Sequence, residues 1–316
     1  MTGLLIPPAL QAGDTVAVIA PAGGLVDPER YRNGCAVITG MGFTLAARDR
    51  LWPGYGYLAD TDAGRAQEIH RVWHNPQVKA IIALRGGFDT LRLLDRLDFN
   101  LFHRHPKMLV GFSDISILLN QLFQRSGLLT LHGPVMTTLP QSDPDSLDRL
   151  YQCLTGNWHR SLHERVEIIR SGEPVEGPLR GGNLSSLTSL LGTPWSPDLA
   201  GTILFLEDVN EPPYRLDRAL THLAQSGQLQ QAAGIILGDF SMDQDDDPIK
   251  RLARHEFVWS RVSELTHGLS IPIWGNFPIG HGRKNLTLPI GATALMDSRS
   301  GVLHLAGRPA FRPHRD

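Results

Sequence analysis

Along the first half of the chain, short apolar runs alternate with longer stretches of helical spacing, the pattern of strands joined by crossover helices. Thr15 to Ala20 (TVAVIA) is the first such strand and ends in the loop Pro21-Ala22-Gly23-Gly24. Asp27-Pro28 then supplies a carboxylate cap and a proline at the first helical position, for a helix ending near Gly42. A second strand is expected from Gly42 to Ala47, and a helix from Asp60 to Trp73, broken at Asn75-Pro76. Val78 to Leu84 (VKAIIAL) is almost wholly apolar, which predicts a strand covered on both faces in the middle of a parallel sheet.

That strand runs into Arg85-Gly86-Gly87, and helical spacing returns over Asp89 to Leu97. Lys107 to Gly111 (KMLVG) is another buried strand, followed at once by Phe112-Ser113-Asp114 and an apolar helix from Ile115 to Phe123. Leu128 to His132 predicts a further strand before Gly133-Pro134, and Ser146 to Leu154 the last helix of this half. From Thr155 to Pro178 the periodicity weakens and polar residues and glycine accumulate. Beyond it, strand-like runs at Thr202 to Leu206, Ala233 to Leu237 and Leu286 to Pro289 are separated by loops and one clear helix, Tyr214 to Ala224.

The expected class is therefore α/β, with an open, mainly parallel sheet over residues 1–156, a linker over 157–178, and a smaller β-rich, barrel-like domain over 179–316. A chain of 316 residues exceeds the usual size of one hydrophobic core, which agrees with two units. With 41% hydrophobic and 20% charged residues the composition is that of a folded globule.

Charge removes some classes of function. Lys plus Arg number 30 against 32 Asp plus Glu, so there is no excess of cations to neutralise nucleic acid or an anionic membrane surface. The two cysteines, Cys35 and Cys153, read as free thiols of a reducing compartment. The N-terminal residues lack the pattern of a secretory signal, and no run reaches the ~18 apolar residues of a membrane span. A soluble, cytoplasmic protein is expected.

Several motifs fail on spacing. His255-Glu256 opens like a zinc helix, but Trp259 stands where the second histidine is needed. The acidic run Asp243 to Asp247 lacks the glycine and the closing glutamate of a calcium loop, and reads as solvated. There is no phosphate-loop lysine and no three-glycine dinucleotide fingerprint, so neither metal nor cofactor is expected.

Ser113 is the most informative position. A serine at the turn between a buried strand and a helix is presented at the carboxyl edge of the sheet, beside the free N–H groups of the helix start. The plain alternative is that Ser113 or Asp114 only caps that helix, since the full Gly-x-Ser-x-Gly elbow is absent. The Arg85-Gly86-Gly87 turn either relieves crowding or leaves backbone N–H groups for an anion. A nucleophilic serine needs a base and an acid to orient it. Glu207, directly after an apolar strand, and His281, in Gly280-His281-Gly282, are candidates; a salt bridge and a solvated loop histidine are their ordinary readings.

Taken together, these segments resemble the LD-carboxypeptidases of peptidase family S66. The resemblance is carried by Ala20-Pro21-Ala22-Gly23, Arg85-Gly86-Gly87, Gly111-Phe112-Ser113-Asp114, His132-Gly133-Pro134, Gly181-Gly182-Asn183-Leu184, Leu191-Gly192-Thr193-Pro194, Leu206-Glu207-Asp208, Glu211-Pro212-Pro213-Tyr214 and Gly280-His281. It implies a triad of Ser113 as nucleophile, His281 as base and Glu207 as acid, with Glu211 the rival for the acid role. The implied oxyanion hole is the backbone N–H of Asp114 with that of Gly87.

The implied reaction releases terminal D-alanine from murein tetrapeptides, cutting next to the L-centre of a diamino acid, during cytoplasmic cell-wall recycling. Arg85 and Asn183 are substrate-binding candidates: Arg85 suits a terminal carboxylate, or holds its own turn through backbone carbonyls. Relatives in this family are commonly homodimers, and some hydrolyse microcin C-type peptidyl nucleotides. A non-catalytic peptide-binding protein is the reading from a different class. One departure from the pattern is Phe88-Asp89, where relatives often carry tyrosine then glycine.

Overall fold

The computed structural model describes residues 3–48, 51–242 and 247–306 of the chain. The apolar runs of the first half form β1 (Thr15–Ile19), β2 (Thr44–Leu45), β3 (Val78–Ala83), β4 (Met108–Gly111) and β5 (Thr130–His132). The second half contributes β6 (Leu162–His163), β7 (Glu167–Arg170), β8 (Val175–Asn183), β9 (Ile203–Glu207), β10 (Gly234–Leu237) and β11 (Ile273–Gly275). Three short strands follow: β12 (Leu288–Ile290), β13 (Thr293–Asp297) and β14 (Val302–Leu305).

They assemble into two sheets. The first has six strands in the order β12-β5-β4-β3-β1-β2, parallel throughout except at the β12 edge. Its two central strands, β3 and β4, are buried except at Lys79, as their almost wholly apolar sequences require. The second sheet has eight strands in the order β6-β14-β13-β8-β9-β10-β11-β7 and is mixed: β8, β9, β10 and β11 run parallel, and antiparallel strands flank them.

Three features of the second half were not legible in its sequence pattern. β8 is its longest strand, yet Gly177, Pro178, Gly181 and Gly182 interrupt the alternation that would announce it. At Gly181 an added Cβ would lie 1.9 Å from the Phe205 carbonyl oxygen, so the strand closes on β9 only because that position is bare. The helix Pro248–Leu265 is also unannounced, because only His255, Val258 and Val262 of its 18 residues are buried, too narrow a stripe to read as amphipathic. It carries the His255-Glu256 pair set aside as a zinc motif. Asp247 caps its first turn, while the rest of the acidic run, residues 243–246, lies outside the described residues.

The third feature is connectivity. Residues 157–178, expected as a linker, hold β6, β7 and the start of β8, all paired into the second sheet. The run expected at Leu286 to Pro289 forms β12 and pairs with β5, so the second half of the chain supplies an edge strand to the first sheet.

The helix Ser116–Ser126 packs between the two sheets. Its Asn120 donates to the Gly181 carbonyl on β8 at 2.8 Å and accepts from the Gly181 N–H at 3.3 Å. Ser116 Oγ accepts from the Asn183 N–H at 3.2 Å. These buried bonds fix the register of the second sheet against the helix that follows β4.

Candidate active site

Ser113 follows β4 with φ of 60°, a left-handed conformation that costs a non-glycine residue strain and turns the chain sharply into the helix. Its hydroxyl makes no hydrogen bond among the described residues, and neither the 3-10 turn Ser113–Ile115 nor the helix Ser116–Ser126 has a side-chain cap. The capping alternative is thus not realised. The Asp114 carboxylate is drawn inward instead, accepting from the Thr90 N–H at 2.8 Å and the Thr90 hydroxyl at 2.6 Å, and burial raises its pKa despite those bonds.

The Arg85-Gly86-Gly87 turn packs directly on the serine. A Cβ on Gly86 would stand 2.7 Å from Ser113 Cβ and 2.8 Å from its Oγ. Gly87, at φ of 143°, lies so close to Gly23 that a side chain there would reach 2.6 Å from the Gly23 nitrogen. The glycines are therefore required by close approach of three chain segments. Asp89 takes the left-handed conformation at φ of 67° that glycine would occupy without strain, and Phe88 is exposed with its ring edge-on to Tyr57.

Glu207 ends β9 and is fully buried. Its Oε2 lies 2.7 Å from His281 Nδ1, and because a carboxylate only accepts, Nδ1 carries the proton and Nε2 is left as the basic nitrogen. The approach depends on Gly280, at φ of 113°, whose Cβ would come 3.0 Å from both Glu207 Cβ and Oε2. The ring of Phe112 supports the imidazole at 4.7 Å between centroids. Burial alone would depress the His281 pKa; the charge and hydrogen bond of Glu207, with Asp208 and Asp239, more than offset this and raise it.

Ser113 and His281 line one cleft of about 560 Å³, together with Arg85, Gly87, Phe88 and Thr138. Among the described residues the Arg85 guanidinium makes no ion pair or hydrogen bond, so it stands in the cleft as an unspent cation. Asn183 is elsewhere: it is buried, its amide donates to Asp208 Oδ1 at 2.9 Å, and its side-chain oxygen accepts from the Ser186 N–H at 3.0 Å. Glu211 lies apart from His281, on another surface near Arg215 and Arg218. Residues that hold the site but were not singled out are Asp208, Ser116 and Asn120; only Asp208 left a trace, in its place beside Glu207.

Among the described residues no cluster of His, Cys, Asp and Glu could hold a metal ion, and no helix is long and apolar enough to cross a membrane.

Residues 16–133 match the model of the LD-carboxypeptidase N-terminal domain, and residues 176–296 that of the LD-carboxypeptidase C-terminal domain. A probable murein peptide carboxypeptidase of Bacillus subtilis is 36% identical over 92% of this chain and 91% of its own. A murein tetrapeptide carboxypeptidase of Pseudomonas aeruginosa is 37% identical over 77% and 80%. Among solved structures, an MccF-like protein from Bacillus anthracis superposes with a TM-score of 0.83 at 26% identity, covering 95% of this chain and 99% of that one. An α/β sheet joined to a mixed β-rich sheet, in a chain with these relatives, defines a carboxypeptidase, a hydrolase of terminal peptide bonds. The chain belongs to the LD-carboxypeptidase family, peptidase family S66.

Proposed function

We propose that the protein is a serine-type LD-carboxypeptidase that releases terminal D-alanine from murein tetrapeptides, cutting next to the L-centre of the diamino acid. The observation that carries this reading is the buried contact between Glu207 and His281 beside the cleft lined by Ser113. His281 Nε2 takes the Ser113 proton, the alkoxide attacks the peptide carbonyl, and the imidazolium gives its proton to the leaving D-alanine amine. Water then attacks the acyl-serine with His281 again as base. The backbone N–H groups of Asp114 and Gly87 hold the tetrahedral oxyanion; Asp114 suits this because the first N–H groups of a helix have no partner within it.

Arg85 binds the terminal carboxylate of the substrate, a role supported by its lack of any other partner among the described residues. The side-chain bonds of Asn183 favour a role in holding Asp208 over direct contact with substrate. The free thiols of Cys35 and Cys153 support a cytoplasmic setting, and a homodimer rests on the family resemblance alone.

The test is incubation of the wild type and Ser113→Ala with a murein tetrapeptide, with a peptidyl nucleotide in a parallel arm because of the MccF-like neighbour. Release of D-alanine by the wild type alone is expected. Cleavage of only the peptidyl nucleotide would reassign the substrate, and tetrapeptide binding without turnover or serine labelling by a fluorophosphonate would make the protein a receptor.

A further inference from the structure

Glu207 has a second oxygen that the triad leaves unused. Oε1 is fully buried and, among the described residues, has no hydrogen-bond partner. Facing it is His132, the last residue of β5, also fully buried, with neither ring nitrogen bonded to any described residue. The distance from His132 Nε2 to Glu207 Oε1 is 4.0 Å. The imidazole is otherwise walled by the edges of Phe205 and Phe112, at 5.1 and 6.1 Å between centroids, and by the bare face of Gly182. A histidine needed only to fill such a space would be a poor choice, since an apolar side chain fills it without burying two polar atoms unpaired.

We infer that His132 is a positioning residue for the reaction, its Nε2–H donating to Glu207 Oε1 so that the carboxylate is held from both sides and Oε2 is aimed at His281. This rests on the triad reading given above. The backbone makes the aim firm: His132 pairs with Gly111 of β4, two residues before Ser113, and with Leu288 of β12, so its Cα cannot drift from the nucleophile. Closing the gap from 4.0 Å to a hydrogen bond needs only a small side-chain movement, of the kind that accompanies substrate binding in catalytic sites. Burial, and then the charge of His281, depress the His132 pKa to about 3, so the ring stays neutral and can donate from one nitrogen only. Donation from Nε2 joins Ser113, His281, Glu207 and His132 in one chain of hydrogen bonds in which the outermost member never carries charge.

His132→Leu keeps the volume and removes the donor; His132→Gln keeps a donor of similar reach. The expected result is a fall in kcat of about 10- to 100-fold for His132→Leu on the murein tetrapeptide, with KM changed less than about twofold, and recovery of most of the loss in His132→Gln. Nitrogen NMR of histidine-labelled wild type should show His132 as the neutral Nε2–H tautomer, a reading that does not depend on any variant folding. A folded His132→Leu with wild-type kcat, equal losses in both variants, or an Nδ1–H tautomer would each overturn the assignment. Ser113→Ala assayed alongside separates the two levels: full activity there would remove the triad itself, whereas its loss beside an unaffected His132→Leu removes only the role of His132.

Discussion

Glu207 and His281 are 74 residues apart in the chain and 2.7 Å apart in space, an approach that the bare Gly280 permits and the Phe112 ring backs from the histidine side. The contact sets the imidazole tautomer, and with the charges of Asp208 and Asp239 it raises a pKa that burial alone would depress. A general base must be unprotonated to act, so the proposed role of His281 ties the reaction to this raised pKa.

Glu207→Gln keeps the shape and removes the charge. The acid limb of kcat/KM in the wild type should lie above the ordinary histidine value, and it should move to lower pH in the variant. The maximal rate should drop by up to about 10⁴-fold, because a neutral amide no longer stabilises the imidazolium or fixes its tautomer. A pH–rate profile that keeps its acid limb in place would show that His281 does not report on Glu207.

Ser113 combines the proposed nucleophile with a strained backbone at φ of 60°. Ser113→Gly should therefore abolish turnover and at the same time stabilise the fold by roughly 1 kcal/mol, since glycine adopts this conformation freely. Urea unfolding of the two proteins measures the difference, and a less stable glycine variant would contradict the strain.

Gly86→Ala tests the packing of the turn on Ser113. The new Cβ would lie 2.7 Å from Ser113 Cβ, so one of the two must shift. A displacement near 1 Å at a reacting atom costs about 100-fold in kcat, while the exposed side of the turn leaves room for the fold to survive. Unaltered kinetics in Gly86→Ala would show that the turn can retreat without moving the serine.

Asn120 joins the helix that follows Ser113 to β8 through the Gly181 carbonyl and N–H. Asn120→Ala leaves those buried groups unpaired and should cost about 1–3 kcal/mol. Since β8 pairs with β9, with Asn183 opposite Glu207, the same change should also lower kcat by loosening the sheet that carries the proposed acid. A denaturant midpoint equal to that of the wild type would show that this clamp is not what joins the two sheets.

The sequence by itself determined the parallel part of the first sheet. β1, β3 and β4 are almost wholly apolar runs, and burial on both faces writes itself into local composition, so strand, turn and helix around Ser113 are placed by sequence alone. Ser113, Glu207 and His281 stood out as candidates at strand ends and between glycines, but local pattern left each with an ordinary alternative, and only the family resemblance joined them into one proposed triad. Other matters were decided only in three dimensions. β8 is hidden because its glycines serve close contacts with Phe205 and Ser116, which lie far along the chain. The partners of Asn183, the pairing of β12 with β5 and the meeting of His132 with Glu207 are equally invisible in one dimension. Periodicity reports how each segment meets solvent, whereas the hydrogen-bond partner of a buried polar atom depends on which strands become neighbours, and that follows from the packing of the whole chain.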